Sequence, residues 1–143
     1  RGQGERDGTS SFGFGIQERR MAKLTRPLGE THDAWVPVHV NGETFEVLIT
    51  HPNGEDCLQD EALIAEGWYR PGAQSNAVKH RIETTIAGWR GLQDADGGDI
   101  EFSWDNLMAL CTSYPGVFSQ ISLLANRAYK GDEFAEPKPK NSE

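Results

Sequence analysis

The densest set of chemistry-bearing side chains lies between residues 94 and 105, where Asp94, Asp96, Asp99, Glu101 and Asp105 crowd one short stretch. Closely spaced carboxylates are what hard cations bind, so a calcium loop is the first chemistry to test. The spacing fails that test. Counted from Asp94, the sixth position, which needs glycine for a sharp turn, is Asp99. The twelfth, where a bidentate glutamate is needed, is Asp105. The segment reads as a solvated turn.

Nucleophilic and transition-metal chemistry are no better served. His32, His39, His51 and His80 show neither H-x3-H nor H-E-x-x-H spacing, and Cys57 and Cys111 belong to no C-x-x-C pair. Cys57 and His51 are close in sequence, but Glu55 and Asp56 flank the thiol, and neighbouring negative charge raises its pKa and blunts it as a nucleophile. Phe12-Gly13-Phe14-Gly15 is no phosphate loop, since no strand precedes it and no lysine follows. Paired carboxylates occur by chance on an acidic surface and do not by themselves indicate acid–base catalysis. No cofactor and no enzymatic role are expected.

The elements around these residues form one small domain. The chain has 143 residues and a formal charge of −8. Residues 1–20 hold four arginines against three acids, leaving ten bases and nineteen acids from Met21 onward. Such a surface repels nucleic acid and anionic membranes and favours basic protein partners. Two distant cysteines in apolar stretches read as reduced core thiols, and no apolar run approaches the ~18 residues needed to cross a bilayer. A cytoplasmic protein is expected.

Residues 1–20, with five glycines and no hydrophobic period, read as a disordered arm. A second reading is equally open. Gln17-Glu18-Arg19-Arg20 before Met21 is what a purine-rich ribosome-binding site looks like when read as protein, making the arm a leader artefact. Residues 21–130 read as a single α+β domain, with a hairpin at 34–50 and a helical part at 57–130, and residues 131–143 as a flexible tail. Val36, Val38 and Val40 alternate, Asn41-Gly42 supplies a two-residue turn, and Phe45, Val47 and Ile49 alternate again. This register pairs Val36 with Val47, Val38 with Phe45 and His39 with Thr44. Pro37 predicts an edge strand. Trp35 and Leu48 then face each other on the opposite side of the hairpin, either beneath a covering helix or as an apolar docking patch.

Beyond the hairpin, the spacing predicts a helix over 57–66 with Leu58, Ala62 and Ala65 or Leu63 inward, broken by Trp68-Tyr69-Arg70-Pro71-Gly72. A second helix is predicted over 75–89, capped by Ser75 or Asn76, with Val78, Ile82, Ile86 and Trp89 on one face. Ile100, Phe102 and Trp104 predict a short strand. Ser103 or Asp105 caps a helix carrying Leu107, Met108 and Cys111. After Tyr114-Pro115-Gly116 a last helix carries Val117, Ile121, Leu124 and Ala128. Trp89, Phe102, Leu107 and Ile121 are expected in the core.

One stretch carries a resemblance. Ile86-Ala87-Gly88-Trp89-Arg90-Gly91-Leu92, then Asp94-x-Asp96-Gly97, Ile100-x-Phe102-Ser103-x-x-Asn106-Leu107 and Tyr114-Pro115-Gly116 resemble the tail assembly chaperones of tailed phages. The ending Lys140-Asn141-Ser142 is similar to theirs as well. The similarity covers the chain from about residue 76. It implies a non-enzymatic protein that coats the long helical tape-measure protein until major tail protein subunits polymerise around it, with self-association allowed. It also implies a minor, C-terminally extended product made by ribosomal slippage. Pro139-Lys140-Asn141 can be encoded CCA-AAA-AAC, which contains a slippery heptamer. The partner-binding candidates are Trp35 and Leu48 on the hairpin, Trp68 and Tyr69 at the helix break, and Phe134 in the tail. The alternative is a minor tail or head–tail connector subunit.

Overall fold

The structure, a computed structural model, describes residues 21–134, and the 1–20 arm and Pro139-Lys140-Asn141 lie outside them. Residues 1–30 and 31–143 are two separate units. In the first, the described residues carry one turn, in which the Glu30 N–H donates to the Pro27 carbonyl.

The second unit is α+β. It runs β1 (Asp33–Val40), β2 (Glu43–Thr50), α1 (Gly54–Tyr69), α2 (Gln74–Thr85), β3 (Ile86–Arg90), α3 (Trp104–Ser113) and α4 (Pro115–Tyr129). The strands form one antiparallel sheet in the order β1-β2-β3.

The hairpin has the expected register: Trp35 opposite Leu48, Val36 opposite Val47, Val38 opposite Phe45 and His39 opposite Thr44. Asn41 and Gly42 hold φ of 55° and 80°, the paired left-handed values of the turn that matches strand twist. Pro37 lies on an edge strand, as expected. That edge is partly closed by a side chain. Gln120 accepts from the His39 N–H (2.8 Å) and donates to the His39 carbonyl (2.7 Å), so its amide stands in for a neighbouring strand.

Ala34, Val38, Phe45, Val47, Ile49 and Ile86 form the sheet's share of one core, completed by Ile82, Leu92, Leu107, the α4 stripe Val117, Ile121, Leu124, Ala125 and Ala128, and Phe134. Leu107 and Ile121 are buried in it, while Trp89 and Phe102 pack partly buried against it. Helix α4 lies along β1 and β2, and α2 along β2 and β3.

Several expectations are corrected. The helix expected over 75–89 ends at Thr85, and residues 86–90 are a strand. A β-bulge is the reason. Ile86 pairs with Ile49 and Gly88 with Leu48, so Ala87 is an extra residue, and Ile86 and Trp89 reach the same face although three apart. That spacing imitates a helix. Neither Ser75 nor Asn76 caps α2, whose N-cap is Ala73 without a side-chain bond, and Val78 lies outward.

The strand expected at 100–104 does not form. The loop closes on itself through Ile100 N–H to the Leu92 carbonyl (3.1 Å) and Asp94 N–H to the Gly98 carbonyl (2.8 Å). Trp104 instead opens α3, because the Ser103 hydroxyl accepts the Asn106 N–H (3.0 Å) and caps it. Trp89 donates its indole N–H to the Ile100 carbonyl (2.7 Å) and meets Phe45 and Phe102 edge-on, so β3 holds this loop in place.

The first helix is longer than expected and turned over. It starts at Gly54 behind a capping box, in which Asn53 accepts from Asp56 N–H (2.8 Å) and Asp56 accepts from Asn53 N–H (3.1 Å). It continues through Trp68 and Tyr69, and the break falls at Arg70-Pro71-Gly72. Leu58, Ala62 and Ala65 are exposed, and the inward side is Asp60, Gly67 and the half-buried Leu63 and Ile64. Cys57 is likewise exposed rather than in the core, Cys111 is half-buried, and both thiols are free.

Candidate binding surfaces

The sheet has two faces of different character. The inner one carries the valines. On the outer one, Trp35, Leu48 and Gly88 fall in one row across all three strands, and Trp35 and Leu48 are half-buried. The cover over Trp35 is the Arg90 guanidinium, 4.0 Å from the ring centroid, while Arg90 Nε bonds Glu46 at 2.7 Å. The charge stacks on the ring face and its partner holds it there. Leu48 pairs with Gly88, where an added side chain would meet nothing within 4 Å. The valine-bearing face, not this one, receives α2 and α4.

Helix α1 presents the most exposed apolar side chains of this unit. Leu58, Trp68 and Tyr69 stand 74%, 83% and 81% exposed. What fixes the helix in place is polar. Asp60, 3% exposed, receives Arg81 Nε and a terminal guanidinium nitrogen, each at 2.8 Å. The third guanidinium nitrogen donates to the Asn126 side-chain oxygen (3.0 Å), and the whole group lies 5.1 Å over the Tyr129 ring. Tyr129 in turn shares a hydrogen bond with Thr84 (2.7 Å), and His80 Nε2 donates to the Asp56 carbonyl (3.0 Å). One arginine thus ties α1 to α2 and α4.

The electrostatics follow. The Asp60 carboxylate holds the Arg81 pKa above its ordinary value against the opposing effect of burial. Burial pushes Tyr129 up, although the bond with Thr84 works the other way. Burial also pushes the Cys111 thiol up, which makes it less reactive.

Phe134 is not available to a partner. It is 5% exposed, its ring 5.9 Å from that of His51, with the Arg127 guanidinium 4.7 Å above it. Arg127 also pairs with Asp132 (2.9 Å). Both His51 ring nitrogens face carbonyl oxygens, those of His32 and Asp132, so the imidazole is committed to structure rather than to Cys57. The polar run after Gly131 hides an anchor: a turn at Gly131 (φ 86°) sends Phe134 back into the core cluster.

In the acidic loop, Asp94 Oδ1 accepts the N–H groups of Asp96 and Gly98, each at 2.9 Å, which is turn chemistry. Among the described residues no three His, Cys, Asp or Glu side chains are grouped to hold a metal ion, and no helix is long and apolar enough to cross a membrane.

Of the five candidate residues, the structure brings Trp35 and Leu48 together, sets Trp68 and Tyr69 side by side elsewhere, and buries Phe134. The sequence reading missed the Asp60–Arg81–Asn126–Tyr129 network, whose members come from three helices. It also placed Leu58 and Ala62 inward, where both are exposed, and of its alternatives Ala65 or Leu63 it is Leu63 that turns inward. Neither a family model, nor a curated protein, nor a solved structure matches the chain.

Proposed function

We propose that this chain works by binding other proteins, as a tail assembly chaperone of a tailed phage or prophage. Its partners in this reading are the tape-measure protein and the major tail protein. The observation that carries it is the pair Trp68 and Tyr69, almost fully exposed at the end of an acidic helix. Single exposed apolar residues are ordinary on a protein surface. Two adjacent aromatics on a helix that also exposes Leu58 are the side-chain types that anchor protein interfaces. A tape-measure protein offers long apolar helical stripes before assembly, and an acidic, soluble binder keeps them from associating with one another. Such a binder must later be displaced, which favours modest affinity repeated along the partner.

The test is the DNA of this gene with its flanking reading frames. The chaperone reading expects A-AAA-AAC across codons 139–141, an overlapping frame one base back, and a long helical reading frame downstream. A gene with neither the heptamer nor such a neighbour would withdraw the chaperone reading and leave only a protein-binding domain.

A further inference from the structure

The outward side of α1 has a pattern of its own. Leu58, Ala62, Ala65 and Tyr69 are spaced four, three and four residues apart, and all four are exposed. This is the spacing with which one helix seats another: residues recurring every 3.5 positions form a continuous seam, and each fits between residues of the facing helix. The seam extends roughly 16 Å along the helix axis at 1.5 Å per residue. Its middle is two alanines, which let a second backbone approach closely, and its ends are the bulky Leu58 and Tyr69. Trp68 stands beside Tyr69 and widens the seam at that end.

The charges beside the seam select the occupant. By helical spacing Glu61 lies along one side, and Glu55 and Glu66 along the other. Residues 54–69 contain five acids and no base. Arg70, just past the helix end, is paired with Glu66 and neutralises only that corner. A second copy of the chain would therefore bring carboxylates against carboxylates. A helix with an apolar stripe flanked by lysine or arginine would bring opposite charges together on both sides.

We infer that the outer face of α1 is a docking site for an amphipathic α-helix with basic flanks, seated on Leu58, Ala62, Ala65 and Tyr69. This deepens the protein-binding reading and rests on it, and it adds the site and the chemistry of the partner. The inner side of the same helix supports the assignment. Asp60, held by Arg81, which also bonds Asn126, fixes the helix by a polar clamp beside the half-buried Leu63 and Ile64, so Leu58, Ala62, Ala65 and Tyr69 are left outward.

The experiment is a fluorescence anisotropy titration of the whole chain against two designed helical peptides of identical apolar stripe, one flanked by lysines and one by glutamates. The lysine peptide is expected to bind saturably and more weakly as salt rises, and the glutamate peptide not to bind. Leu58→Asp, at an exposed position, is expected to weaken the lysine peptide at least about tenfold, the value of one buried leucine side chain. That variant makes the chain more acidic, so plain charge attraction predicts the opposite. Tyr69→Ser is expected to act in the same direction, and Leu123→Ser, at an exposed position of α4, to leave binding unchanged. Equal or tighter binding by Leu58→Asp, or equal binding of both peptides, overturns the proposal. So does a concentration-dependent dimer in sedimentation equilibrium that Leu58→Asp abolishes, since the seam would then belong to a second copy. If tape-measure protein still binds the chain when Leu58→Asp and Tyr69→Ser have no effect, this site fails while the protein-binding reading stands.

Discussion

Replacing Asp60 by alanine probes how α1 is held. The carboxylate is buried and takes two parallel bonds of 2.8 Å from Arg81, whose side chain is 24% exposed. The substitution leaves the guanidinium with only the Asn126 oxygen and the Tyr129 ring. Breaking one half of a buried pair costs about 3–5 kcal/mol, and the partial exposure of Arg81 puts this case near 3 kcal/mol. Helix α1 buries little else, since its inward neighbours Leu63 and Ile64 are half-exposed. The loss should therefore be local. Amide exchange across residues 54–69 should accelerate while α4, whose Val117, Ile121, Leu124 and Ala128 are core residues, stays protected. Urea unfolding gives the global figure. Pairing Asp60→Leu with Arg81→Met should recover most of the loss, because two apolar side chains leave no charge stranded. The reasoning is refuted if Asp60→Ala costs under about 1 kcal/mol, or if the double variant is as unstable as the sum of the singles.

Other outcomes follow from the same structure. With an aromatic disulfide reagent at neutral pH, Cys57 should react fast and Cys111 slowly, because Cys57 is exposed while burial raises the Cys111 pKa; Cys57→Ser should remove the fast phase. Tyr129 ionises later in the folded chain than in the unfolded one, so the unfolded state sheds its proton first as pH climbs past about 10. Its contribution is fully present below that pH and is lost as pH rises through the higher folded value, and Tyr129→Phe should flatten this alkaline decline in urea melts. Phe134→Ala should cost about 3 kcal/mol, as for other buried aromatics, and should open the Gly131–Phe134 turn to proteolysis; a loss below about 1 kcal/mol would show that the ring is not anchored.

The hairpin was legible because each local signal agreed: alternating valines, a turn whose two residues tolerate positive φ, and a proline suited to an edge. Helix α4 was legible because its apolar stripe is undisturbed. The misreadings share a cause, which is that burial here is not always apolar. Helix α1 turns Asp60 inward and Leu58 outward because an ion pair, not a leucine, makes the contact, and a pattern built on hydrophobicity turns that helix over. The α1 seam carried a usable signal all the same, since Leu58, Ala62, Ala65 and Tyr69 keep helical spacing among acids. Strand β3 was hidden by one extra residue, Ala87, which gives a strand the spacing of a helix. Phe134 was hidden by its polar neighbours, because the Gly131 turn and the ring contact with His51 act over distances no local window spans.

In the proposed role the chain binds tail components during assembly and then leaves. The most direct measurement is mass spectrometry of two samples from the same infected or induced cells, affinity-captured chain from the lysate and purified finished particles. A chaperone is expected to bring down the tape-measure protein from the lysate and to be absent from the finished particles. Finding the chain at fixed stoichiometry in finished particles would contradict it and assign the protein to the particle itself, as a minor tail or connector subunit.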